Sequence, residues 1–232
     1  MGGTSTTSRE HTNREFEREL KQLRERLLGM GGRAERQIGA AIAALTDRDE
    51  ALVATVIEGD ERIDLDEREI DELAFAIIAR RQPVASDLRF VILALKIVTD
   101  LERIGDLAVN IAKRARELAR LAPSATQARL VELARRVRAA LKDALDAFAN
   151  SDPARAETVI ASDHEIDVLN TELIAEVLSA PPTGVDDFAR SLAMSSISRY
   201  LERIGDHATN VAEMVIYSSR GRDVRHAPVR SS

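Results

Sequence analysis

The sequence predicts an all-α protein made of two tandem three-helix bundles related by an internal repeat. Three observations carry this reading. Glu102-Arg103-Ile104-Gly105-Asp106 returns residue for residue as Glu202-Arg203-Ile204-Gly205-Asp206, 100 positions later. Apolar residues recur at intervals of three and four through most of the chain, the period of an amphipathic helix. Alanine, leucine, arginine and glutamate dominate, aromatic residues make up only 3 %, and the β-branched and aromatic runs of a large sheet are absent.

Residues 1–13 are small and polar and read as a disordered tail. Helical spacing begins with Phe16, Leu20, Leu23 and Leu27. It resumes with Ala34, Ile38, Ile42 and Leu45 after Gly29, Gly31 and Gly32, so a bend or local break is expected near Met30. Asp47 or Asp49 is the expected N-cap of a second helix carrying Leu52, Val56, Ile63, Ile70, Leu73 and Ile77, which Pro83 closes. Ser86 or Asp87 is the expected cap of a third, with Leu88, Val91, Leu95, Val98, Leu101, Ile104, Ala108 and Ile111 as its stripe. Ala122-Pro123-Ser124 punctuates the halves. The order then repeats. A fourth helix spans about 127–149, and Asp152 caps a fifth with Pro153 at its first position. A sixth runs from about Asp186 to Tyr217, and residues from Arg220 onward form a polar tail.

The repeat extends well beyond the pentapeptide. Leu45 and Phe148, Asp49 and Asp152, Asp60 and Asp163, and Asp64 and Asp167 share an offset of 103, whereas the third helices share an offset of 100. The three-residue difference falls in a connection, where insertions are tolerated. The predicted units are a tail at 1–13, bundles at 14–122 and 123–219, and a tail at 220–232.

The formal net charge is −6, with basic and acidic residues interleaved, which argues against direct DNA binding. There is no cysteine, so disulfides, thiolate metal sites and thiol nucleophiles are excluded. No segment reaches the roughly 18 consecutive apolar residues of a membrane span, and the N-terminus lacks a signal-peptide layout. A cytoplasmic location is expected, with any membrane contact made through partners.

Glu102, Asp106 and Asn110 form one line about 100° round from the apolar seam of their helix. Like charges four residues apart repel, so a pair written twice suggests use. Asp60 and Asp64 make a second acidic pair, extended by Glu67 and Asp71, and Asp163 and Asp167 are its counterpart. With the second and third helices side by side, one pair from each converges into an array of oxygen donors. Such donors suit Mg, Mn, Ca or iron. The competing reading is a solvated face in which Arg103 and Arg203 neutralise neighbouring acids, a contribution of ~0–1 kcal/mol per pair. Gly105 and Gly205 favour an array, since mid-helix glycine implies close helix approach or ligand access. The glutamate-plus-histidine pattern of di-iron bundle enzymes is absent. Arg81, Asp87 and Arg89 surround the turn between the second and third helices. They read either as ordinary helix-end charges or as a partner-facing turn, and Arg103 and Arg203 are further candidates for partner contact.

Arg81-Gln82-Pro83, Asp87-Leu88-Arg89 and the doubled Leu-Glu-Arg-Ile-Gly-Asp resemble the PhoU family of phosphate-uptake regulators, and the resemblance runs from about Glu15 to His226. It implies a cytoplasmic negative regulator of the phosphate-starvation response, an adaptor between the ATPase subunit of a phosphate ABC transporter and a sensor histidine kinase, and a homodimer. It also implies multinuclear iron or zinc clusters, one per bundle. Their ligands would be Asp60, Asp64, Glu102 and Asp106 in the first, and Asp163, Asp167, Glu202 and Asp206 in the second, with Asn110 and Asn210 nearby. A metal-dependent phosphohydrolase and a metal-buffering protein are the alternatives. The second repeat has Phe188-Ala189-Arg190 where the first has Leu88-Arg89-Phe90, so its arginine is turned about 100°.

Overall fold

In the computed structural model, residues 5–124, 126–179 and 182–220 are described. They form α1 (Ser5–Asp47), α2 (Glu50–Arg81), α3 (Ala85–Ala119), α4 (Gln127–Asn150), α5 (Pro153–Ser179) and α6 (Val185–Arg220). No strand occurs among the described residues. α1, α2 and α3 pack on one another as one bundle, and α4, α5 and α6 as a second. The bundles also pack together, α3 along α6 and α1 against α4.

Apolar stripes drive this packing. Leu23, Leu27, Ile38, Ile63, Ile77, Ile97, Leu101, Ile104 and Ile111 are all but removed from solvent, as are Leu141, Ile197, Leu201 and Ile204. Burial of each such side chain contributes ~1.5–3 kcal/mol. The buried side chains form one cluster running through both bundles. α3 and α6 run antiparallel: Arg89, near the start of α3, lies over the ring of Tyr217, near the end of α6, and the Ser124 hydroxyl beyond α3 reaches Met194 near the start of α6.

The repeat extends to turn chemistry. Arg48 and Ser151 are counterparts and both adopt left-handed backbone, with φ of 57° and 51°. The aspartate that follows each is an N-cap. Asp49 Oδ1 accepts from the Ala51 amide at 2.8 Å, and Asp152 Oδ1 from the Ala154 and Arg155 amides at 3.0 and 3.1 Å. Pro153 is the first residue of α5, as expected. Arg48 also caps the end of α3, donating to the Leu118 and Ala119 carbonyls at 2.9 and 2.7 Å.

Several expectations are corrected. α1 begins at Ser5, so residues 5–13 are helical rather than tail. A helix already nucleated extends through indifferent residues without a second nucleation cost. Residues 1–4 and the tail from 221 lie outside the described residues. α1 does not break at its glycines. A Cβ at Gly31 would stand 2.5 Å from Leu145 Cδ2 on α4, so this glycine permits close approach of the two bundles. The N-cap of α3 is Val84, which has no capping side chain, and Asp87 lies within the first turn. The preceding Gln82, at φ 48°, closes α2 by donating its amide to Ile78 O.

Any side chain at position 31, alanine included, must displace Leu145. Gly31→Leu is expected to lower stability by about 1–3 kcal/mol through overpacking, and Leu145→Ala in the same chain should recover part of the loss. Thermal unfolding followed by circular dichroism measures both.

Candidate functional site: two acidic arrays

In the first bundle α2 carries Asp60, Asp64 and Glu67 and α3 carries Glu102 and Asp106, with Gly105 at the contact between the two helices. The absence of a side chain there lets α2 come close: an added Cβ would meet Ile63 Cδ1 at 3.1 Å, and Asp60 Oδ1 and Gln37 Oε1 each at 3.3 Å. Desolvation raises the Asp60 carboxyl above its ordinary value, a hydrogen bond from Gln37 opposes it, and Asp64 and Asp106 raise it further. Glu102 is raised by desolvation and then by Asp106, against the opposing pull of Arg103, with Glu67 and Asp64 adding to the rise. Glu67 is raised by desolvation and then by Asp71 and Asp64. The acids of the two helices therefore feel one another, as the spacing predicts.

The second bundle repeats the arrangement. Desolvation raises Asp163, with Asp167 adding to the rise and Thr209, which donates to Asp163 Oδ1 at 3.1 Å, opposing it. Desolvation and Asp206 raise Glu202, and desolvation with Asp163 and Asp167 raises Asp206. Gly205 is looser than Gly105: among the described residues an added Cβ would meet only Ile166, at 3.5 and 3.7 Å.

Among the described residues, no three histidine, aspartate or glutamate side chains converge closely enough to hold a metal ion by themselves. The donor chemistry nonetheless suits a hard cation in the first array. Glu102 Oε2 and Gln37 Oε1 are buried oxygens with no hydrogen-bond donor. Arg103 Nε approaches the former only to 3.4 Å, from a half-exposed side chain.

One expected ligand also makes a contact outside its array. Asn210 donates Nδ2 to Asp100 Oδ1 at 3.3 Å, across the seam between the bundles, and His207 Nδ1 donates to the same oxygen at 2.8 Å. Asp100 lies on the α6 side of α3 and is 9 % exposed, and both donors meet it there. Asn110 is half-buried one turn beyond Asp106.

The residues expected to face partners divide. Arg81 is tied to α1, donating to Glu19 at 2.9 and 3.0 Å and to Glu15 at 3.1 Å, so its guanidinium is engaged within the bundle. Arg103 is exposed between Glu102 and Asp106, at 3.4 and 3.6 Å, and Arg203 is exposed at the matching position. Asp87 is half-buried. Arg89 lines a cleft of about 300 Å³ between the start of α3 and the end of α6, with Leu88, Ile92, Lys96, Met214 and Tyr217. Its displaced counterpart Arg190 instead turns to its own Asp187, at 2.7 Å, so the two turns present different surfaces.

Three polar residues at core spacing were missed by reading motifs alone. Gln37 falls three after Ala34 and four before Ala41, Asp66 falls between Ile63 and Ile70, and Asp100 between Ile97 and Ile104. All three are buried. Asp66 is held by Arg33 and, at 2.7 Å, by Arg62. A polar residue interrupting an apolar stripe was the available signal.

The raised carboxyls give a pH dependence of definite sign. An acid whose folded value exceeds its unfolded value binds more protons when folded, so stability falls as pH rises through that window. The window opens near the ordinary values of 3.8 and 4.5 and extends upward. With chelator present, Glu102→Gln should therefore raise the unfolding midpoint at neutral pH and lose that advantage below the window. Thermal melts across pH check it.

The PhoU domain matches residues 27–115 and 130–215, once in each bundle. The phosphate-specific transport system accessory protein PhoU homolog of Pseudomonas putida is 43 % identical over 217 residues, covering 93 % of this chain and 85 % of that protein. The accessory protein PhoU of Escherichia coli is 35 % identical over 216 residues, covering 93 % and 90 %. The crystal structure of PhoU from Pseudomonas aeruginosa superposes with a TM-score of 0.86 at 41 % identity, over 89 % of this chain and all of that one (100 %). The phosphate transport system regulatory protein PhoU from Streptococcus pneumoniae gives 0.82 at 27 % identity, over 90 % and 99 %. Two matching domains, full-length relatives and a shared tandem fold lead to one conclusion: the chain belongs to the PhoU family.

Proposed function

We propose that this protein is a negative regulator of phosphate uptake and of the phosphate-starvation response, an adaptor that contacts the ATPase subunit of a phosphate ABC transporter and a sensor histidine kinase. The observation that carries this reading is the match along 93 % of the chain to accessory proteins of the phosphate-specific transport system. The architecture agrees with it: two packed bundles offer separate exposed faces, and Arg89 and Arg190 differentiate the two turns. It acts in the cytoplasm as a homodimer and reaches the membrane through its partners. No helix among the described residues is long and apolar enough to cross a membrane.

The arrays are the cation-binding part of this reading. In the first, Asp60, Asp64, Glu102 and Asp106 would hold the metal, and in the second, Asp163, Asp167, Glu202 and Asp206. Iron or zinc clusters are the family's expectation, and Mg, Mn or Ca suit the oxygen donors equally. A bound cation supplies positive charge that offsets the repulsion among the acids. The chain's own residues do the rest: Gly105 lets α2 approach α3, Gln37 and Thr209 orient Asp60 and Asp163, and Arg103 and Arg203 edge the sites.

The test is binding of the purified chain to the transporter ATPase subunit and to the kinase's cytoplasmic region, with and without chelator. Both are expected to bind, with affinity falling at least tenfold in chelator or on alanine substitution of Glu102 with Asp106. The same double substitution should derepress phosphate-starvation genes in cells. No binding to either partner by a folded, metal-replete protein would overturn the adaptor reading.

A further inference from the structure

The two arrays match at four acids, although Glu67 of the first has Asn170 as its counterpart, and they differ further in what lies behind them. In the first, Gln37 enters from α1 and is 7 % exposed. Its Nε2 donates to Val56 O at 2.9 Å and to Asp60 Oδ1 at 3.3 Å. Both neighbours are acceptors, so turning the amide over would set oxygen against oxygen. Oε1 is therefore directed the other way, toward the bare Cα of Gly105, and it has no donor. Glu102 Oε2, elsewhere in the same array, is likewise buried and without a hydrogen bond. Buried polar atoms in folded proteins are rarely left so, and an unbound ion is one recognised reason.

The second array has no such pair. The counterpart of Gln37, at the offset of 103, is Ala140, a buried residue with no donor atom. Asp163 is held instead by Thr209, whose counterpart in the first repeat is Val109. No array oxygen in the second bundle is buried and unpaired among the described residues. Each carboxylate set is also too spread to close a site alone. A further oxygen is needed, and an uncharged one adds a ligand without adding to the repulsion.

We propose that the arrays are unequal cation sites, the first being the tighter because Gln37 Oε1 serves as a neutral ligand, beside Asp60, for a hard divalent cation. This rests on the cation-binding reading of the arrays given above. It assigns α1, the helix that carries none of the repeated acidic motif, a share in the site.

The test uses the full chain stripped of metal and titrated with Mn²⁺, free Mn²⁺ being counted by electron paramagnetic resonance. The wild-type chain should show two classes of site. The tighter class should vanish in Asp60→Asn, weaken at least tenfold in Gln37→Met, and remain unchanged in Asp163→Asn. Circular dichroism confirms folding of each variant, and the Asp60→Asn and Asp163→Asn pair decides the matter should Gln37→Met not fold. Equal affinities at the two arrays or a tight class that follows Asp163 would overturn the inequality, and a folded Gln37→Met with unchanged affinity would overturn the role of Gln37, each leaving cation binding intact. No Mn²⁺ bound at either array would overturn cation binding itself.

Discussion

Leu101 and Ile104 on α3, and Leu201 and Ile204 on α6, have no solvent exposure, and the two helices that bear them lie antiparallel along the middle of the molecule. Each of these helices serves its own bundle on one side and the other bundle on the next. That double duty constrains the acids. A residue one step from the seam, such as Glu102 or Glu202, cannot rotate away without dragging the core with it, because interiors are packed at near-crystal density. The repeated carboxylates are thus held against α2 and α5 by apolar packing, not by any attraction among themselves.

Their own interactions oppose the arrangement. Desolvation and mutual repulsion act together on Asp60, Glu102, Asp163, Glu202 and Asp206, all of which are pushed toward the protonated form. The partial counterweights come from polar neighbours of different kinds, Gln37 in one bundle and Thr209 in the other. Surface arginines contribute little, since Arg103 stands half-exposed at 3.4 and 3.6 Å. A protein that carries this repulsion in both halves has a form that positive charge stabilises, whether proton, metal or a cationic group of a partner.

Much of this was legible in the sequence for a definite reason. Helical stripes report which face is buried, and the pentapeptide repeat reports that the burial happens twice, so six helices, their order and both acid pairs follow from periodicity alone. The cap at Asp152 was legible because Asp-Pro has few other uses. The Val84 start of α3 was not, because Ser86 and Asp87 offered better capping chemistry than the chain employs. The glycines near Met30 were misread as weakness, since sequence shows the cost of a glycine in a helix but not the neighbour that requires it. Leu145 is that neighbour, and it lies on the other repeat. The contact of Asn210 was not legible for the same reason: its partner Asp100 lies across the seam, where periodicity within one helix says nothing.

The seam also explains why duplication did not leave two identical halves. After a repeat pairs with its own copy, positions on the shared face meet unlike neighbours and can diverge without disturbing either bundle. Asp100 faces His207 and Asn210, whereas its counterpart Tyr200 and the counterpart of His207, Leu107, cannot make the same contact. Arg89 reaches across to Tyr217, while Ala189 has nothing to reach with. Four of the acids are kept in both copies, and the residues that support them, Gln37 against Ala140 and Val109 against Thr209, are not. A symmetric origin with asymmetric support gives one chain two related sites of different character, which is what a protein facing two unlike partners can use.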